Sequence, residues 1–116
     1  MISKETAEHY VWGKACDGWH LVKNAKLSVI QERMPAGTSE ARHYHTQAQQ
    51  FFFVLSGTAT LEIDGRREIL RAHEGLEVPP EMPHQIFNES NQAVEFLVIS
   101  QPASYGDRVL IENDKT

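Results

Sequence analysis

Apolar and polar positions alternate along the chain in short runs, and no helical period persists over a full window. WHLVKN (19–24) and KLSVIQERM (26–34) predict strands, the second with Leu27, Val29 and Gln31 on one face. MPAGTSE turns the chain, RHYH extends it, and QFFFVLSG predicts a strand ending at Gly57. Leu61 and Ile63 alternate before Asp64-Gly65, and Ile69 and Leu70 follow, which predicts a hairpin with a tight turn. AHEGLEVPPEMPH (72–84) reads as turns, because Pro79, Pro80 and Pro83 do not fit a helix or a central strand. HQIFN and AVEFLVISQP predict the last two long strands. RVLIE (108–112) fits a strand or a short helix, and the closing NDKT reads as a fraying end. Many short strands at close spacing, with no helix to cover them, predict an all-β sandwich or barrel. The pattern shows no repeat, linker or low-complexity segment, so one domain over 1–116 is expected.

Composition supports that picture and narrows the partners. With 116 residues, 41% hydrophobic and 23% charged, the chain can bury a core and is not expected to be disordered. The longest apolar run, Phe51 to Leu55, is too short to span a bilayer. The start, MISKETAEHY, lacks the basic and apolar regions of a secretory signal. The one cysteine, Cys16, allows no internal disulfide and fits the reducing cytoplasm, where an inert thiol is expected. A formal charge of −5 without a basic cluster argues against nucleic acid as a partner.

The chemistry gathers in HYHTQAQQFFFVLSG (43–57). In a strand, residues i and i+2 share a face roughly 6.6 Å apart, so His43 and His45 project together. Two imidazoles so placed can converge on one cation, although the same spacing also fits two solvent-facing histidines. Gln50, Phe52 and Val54 share one face of the next strand, and Phe51, Phe53 and Leu55 the other. Both faces should then be enclosed, and Gln50 needs a polar partner: a metal, a substrate, a neighbouring strand or solvent. Gln49 points to the opposite face. His84 follows a stiff proline turn and opens a strand, a place where a rotamer is held fixed. His9, His20 and His73 belong to no pattern. Met34, Phe52, Ile86 and Phe87 are candidates for the apolar wall of a pocket.

Together these residues resemble the two motifs of the cupins. Gly37, five residues, His43-Tyr44-His45, four residues, Gln50, six residues and Gly57 follow the first motif, with glutamine in place of its glutamate. Pro79, His84 and Asn88 follow the second, with Gly75 two residues too close to Pro79 and Glu81 where a glycine is usual. The resemblance covers 37–88 in detail, and in outline the N-terminal strands (10–34) and the C-terminal strand and tail (93–116). It implies a double-stranded β-helix, a jelly-roll barrel holding one divalent transition metal, zinc, nickel, iron or manganese. By position His43, His45 and His84 would be ligands, and Gln50 would fall on the fourth ligand's place. A neutral amide there would leave the full dication charge, weakening metal retention and favouring an anionic substrate. Without Gln50 the site would resemble the three-histidine iron sites of some dioxygenases.

Three functions follow from the resemblance. The first is a metal-dependent enzyme on a small organic molecule, a dioxygenase, isomerase or lyase. The second is a non-catalytic ligand-binding, sensor or structural barrel. The third, a sugar-phosphate isomerase, would need basic residues at the pocket mouth. Arg42, the one arginine beside the motif, points away by parity. Glu81, Tyr44 and Glu77 are near the motif only in sequence, so no general base is evident. A homodimer with a small-molecule partner, and with neither nucleic acid nor membrane, is the expected setting.

Overall fold

The computed structural model describes residues 1–111. Eleven strands form two antiparallel sheets, and no helix occurs among the described residues. One sheet holds, in spatial order, β1 (Glu8–Trp12), β2 (Cys16–Lys23), β3 (Ser28–Met34), β10 (Val94–Gln101), β5 (Gln49–Ser56) and β8 (Gly75–Val78). The other holds β11 (Arg108–Leu110), β4 (His43–His45), β9 (His84–Phe87), β6 (Ala59–Ile63) and β7 (Arg66–Leu70). This is an all-β barrel of the kind that the strand pattern predicts, and the double-stranded β-helix that the resemblance to the cupins implies.

The core lies between the sheets, where alternate residues of each strand point inward. Along β10, Val94, Phe96 and Val98 are buried, and along β5 the same holds for Gln50, Phe52 and Val54. Phe96, Leu61 and Ile86 are fully buried, and each contributes about 1.5–3 kcal/mol relative to an exposed position. The outer face of β5 is only half-buried, with Phe51 and Phe53 stacked on each other at 6.0 Å. The β6–β7 hairpin turns at Asp64-Gly65, both in the left-handed region at φ 48° and 83°. An Asp-Gly pair suits that geometry, which matches the right-handed twist of the strands.

The strands differ from expectation in two places. On β3 the inward positions are Ser28, Ile30, Glu32 and Met34, the opposite parity to Leu27, Val29 and Gln31. Gly75–Val78, read as turn, is strand β8, because the prolines begin only at Pro79 and leave its amides free to pair with β5. Of the two readings open for RVLIE, Arg108–Leu110 takes the strand, pairing with β4. Residue 112 and the NDKT end lie outside the described residues.

Candidate metal centre

Strand pairing brings the three motif histidines together. His43 and His45 point inward from β4, and His84 is the cross-strand partner of His43 on β9. Ring centroids lie 4.4 Å apart for His43–His84, 5.0 Å for His43–His45 and 5.8 Å for His45–His84. Their ligand atoms all fall within 4.8 Å of one another. The side chains are buried, at 4%, 5% and 1% exposure.

Each Nδ1 is held by an acceptor. His43 Nδ1 donates to Ala41 O at 2.8 Å, His84 Nδ1 to Met82 O at 3.0 Å, and His45 Nδ1 to the Asp107 carboxylate at 2.7 Å. These bonds set the Nδ1–H tautomer and leave the Nε2 lone pairs free. Burial pushes the imidazolium pKa down to about 3 for His43 and about 4 for His84, with neighbouring imidazoles and Arg108 adding repulsion against the backbone acceptors. Both rings are therefore neutral at pH 7, the form a metal requires.

Gln50 approaches from the other sheet. Its Nε2 donates to Ser100 Oγ at 3.0 Å, and its Oε1 is buried with no hydrogen-bond partner. His84 Nε2 is likewise buried and unpartnered. Leaving such groups unsatisfied costs about 1–3 kcal/mol each. Three inward imidazoles and an orphaned amide oxygen suit a divalent transition metal in donor type.

A cavity of about 450 Å³ opens beside the histidines. Of the four expected wall residues only Phe52 lines it. Met34 and Ile86 pack into the core instead, a layer deeper than the cavity. Phe87 has the outward parity of β9 and lies under the Arg67 guanidinium at 4.6 Å. Arg42 faces away, toward Glu62 at 3.7 Å. His73 is exposed and His9 pairs with Asp17 at 2.8 Å, whereas His20 lies on the cavity wall.

The wall carries groups that motif spacing does not reveal. Tyr10, Glu32, Glu40 and Arg108 all line it, with Lys23 exposed beside them. Glu32 and Glu40 are carboxylates at the site, whereas Glu81, Tyr44 and Glu77, near the motif only in sequence, do not line the cavity. Asp107 was also missed. It accepts from the backbone N–H of Gln47 and Ala48 at 3.0 Å each as well as from His45. Burial raises its pKa, but these hydrogen bonds outweigh burial and hold the carboxylate below its ordinary value. The Ile30-x-Glu32-x-Met34 alternation was the available signal for Glu32.

Fold, paired sheets and an inward histidine cluster define a cupin-type barrel. The chain belongs to the cupin family: the model of the cupin domain matches residues 30–100. It is 24% identical over 94 residues to an uncharacterized protein of Methanocaldococcus jannaschii, covering 80% of this chain and 75% of that one. It spans less than half the length of several other curated relatives. Among solved structures it resembles an RmlC-like cupin from Shewanella frigidimarina, with a TM-score of 0.81, 21% identity and coverage of 90% and 91%. It also resembles the polyketide cyclase RemF from Streptomyces resistomycificus, with a TM-score of 0.83, 16% identity and coverage of 99% and 87%.

Proposed function

We propose that His43, His45 and His84 hold one divalent transition metal ion, with Gln50 Oε1 as a neutral fourth donor. The protein is then a metal-dependent enzyme that binds a small anionic organic molecule in the adjoining cavity. The observation that supports this most is the orientation of donors. All three Nδ1 atoms are engaged, while His84 Nε2 and Gln50 Oε1 are buried without partners.

When bound, the metal supplies Lewis acidity toward a substrate oxygen. The chain supplies the rest. Gln50 adds a dipole and no charge, so the dication favours an anionic oxygen ligand. Arg108 on the wall favours the same charge, whereas Lys23 there is paired with Glu8 at 3.1 Å. Phe52, Trp12 and Val98 give an apolar surface that excludes water. Zinc, nickel, iron and manganese all accept imidazole donors. The structural likeness to a polyketide cyclase is compatible with an enolate or phenolate substrate. A second reading, a sugar-phosphate isomerase, gains from the presence of Arg108 at the cavity. We also propose a cytoplasmic homodimer, for which the exposed Val11 on the edge strand β1 is a suitable contact.

Cobalt(II) loading tests the reading, because its visible bands report both coordination and ligand access. The expected result is cobalt uptake, a spectrum that changes on titration with oxalate, and loss of both in His84→Gln. A cobalt-loaded protein whose spectrum ignores oxalate would contradict an open site facing the cavity.

A further inference from the structure

We propose that Glu32 and Glu40 form a proton-transfer pair at this cavity, Glu40 as base and Glu32 as acid, for a small carbonyl compound with an acidic C–H bond. The proposal rests on the metal reading above and assigns its substrate class and reaction type.

Both carboxylates line the same cavity as His43 and His45. Neither forms an ion pair among the described residues. Each is held in place by its own support. Gly18 is the cross-strand partner of Tyr10 on one side and of Glu32 on the other. A Cβ at Gly18 would overlap the Tyr10 ring, so the missing side chain lets that ring lie across β2. The Tyr10 hydroxyl there lies near Glu32 and favours its charged form. Glu40 is clamped to β9: its Oε1 accepts from Ile86 N–H at 3.2 Å, its N–H donates to Ile86 O at 3.1 Å, and its carbonyl accepts from Gln85 Nε2 at 2.7 Å.

Two neighbouring carboxylates repel and share protons unequally. Burial first, and then the charge of Glu40, push Glu32 up to about 8, against the pull of Tyr10 and Arg108. Burial pushes Glu40 to about 7, against Arg108 and the Ile86 amide. Two carboxyl groups raised toward neutral pH, one of them held by a backbone amide, suit proton transfer. Unpaired carboxylates at such a place cost stability, which a purely structural role would not require.

The step balances without a further reactant. Glu40 takes a proton from the carbon beside the carbonyl. The C–H bond breaks, an O–H bond forms on Glu40, and the electron pair moves onto the carbonyl oxygen as an enolate. Glu32 then gives its proton to the enolate, at oxygen or at the far carbon. The product is an isomer of the substrate, and one proton has passed from Glu32 to Glu40.

The test follows C–H exchange in D2O by NMR, using zinc-loaded protein with pyruvate, acetoacetate and dihydroxyacetone as probes. Zinc content is measured on the same samples. The expected result is exchange of at least one probe about 100-fold faster than with zinc salt alone, and a loss of about 100-fold in both Glu40→Gln and Glu32→Gln with zinc retained. If either variant fails to fold, Tyr10→Phe carries the test, with an expected drop of about tenfold. Zinc-retaining variants that exchange as fast as the wild type overturn the pair. So does a zinc-loaded wild type that exchanges none of the probes faster than zinc salt. Failure of the wild type to take up zinc, cobalt or any other transition metal instead removes the metal reading, and this proposal with it.

Discussion

Asp107 accepts the Nδ1 proton of His45 at 2.7 Å, and the same carboxylate holds the backbone N–H groups of Gln47 and Ala48. One side chain therefore orients an imidazole and shapes the loop that follows it. Asp107→Asn keeps the shape but removes the charge that makes the imidazole a better donor. Metal affinity should fall about 10–100-fold, measured by competition with a chromophoric chelator. An unchanged affinity would mean that Asp107 serves the loop alone.

Gln50→Glu should act with opposite sign on the two forms of the protein. Loaded protein should lose metal to a chelator more slowly, because the carboxylate adds the charge that the amide lacks. Metal-free protein should melt at a lower temperature, because that carboxylate is buried without a cationic partner. Equal chelator kinetics in both proteins would place Gln50 outside the ligand set.

Glu81 stands at the glycine position of the second motif with φ 67°, and its N–H donates to His45 O at 2.6 Å. A left-handed conformation costs a non-glycine residue about 1–2 kcal/mol. Glycine removes that strain and returns part of it as chain entropy in the unfolded state. Glu81→Gly should therefore stabilise the fold by up to about 1 kcal/mol, read as a higher Tm. A lower Tm would show that the Glu81 side chain makes a stabilising contact that outweighs the strain.

The metal-free protein should be most stable between about pH 4.5 and 6.5. Glu32 and Glu40 release their protons at about 8 and about 7 when folded, against an ordinary 4.5. The folded state thus binds more protons above 4.5, and stability falls as pH rises through 7 and 8. His43 and His84 titrate at about 3 and about 4 instead of 6.5, so the unfolded chain binds more protons below 6.5. Their contribution is present above 6.5 and is lost as pH falls toward 4 and 3. The two effects oppose each other between 4.5 and 6.5. Thermal melts of chelator-treated protein across pH should show declines on both sides, the alkaline one flattened in Glu32→Gln. Stability that keeps rising above pH 6.5 would contradict the protonated carboxylates.

The shared face of His43 and His45 was legible in the sequence because two-residue spacing on a strand is local. The joining of His84 to them came only from the resemblance to the cupin motifs, since it depends on the pairing of β4 with β9. The β6–β7 hairpin was legible because Asp64-Gly65 carries its own turn chemistry. The cavity wall was not legible, because it is assembled from strands distant in the chain. Glu32 and Tyr10 come from β3 and β1, Glu40 from the loop before β4, and Arg108 from β11. The Ile30-x-Glu32-x-Met34 alternation competes with Leu27-x-Val29-x-Gln31 on the opposite face, so parity alone did not mark Glu32 as inward. Phe87 misled in the opposite direction, since a large aromatic at outward parity can be covered by an arginine.

The most direct measurement is elemental analysis of protein purified without an affinity tag or added metal, alongside His45→Ala. The expected result is about one equivalent of a divalent transition metal in the wild type and its loss in the folded variant. No metal in either protein, with none taken up on reconstitution, would contradict the metal centre and leave a ligand-binding or structural barrel.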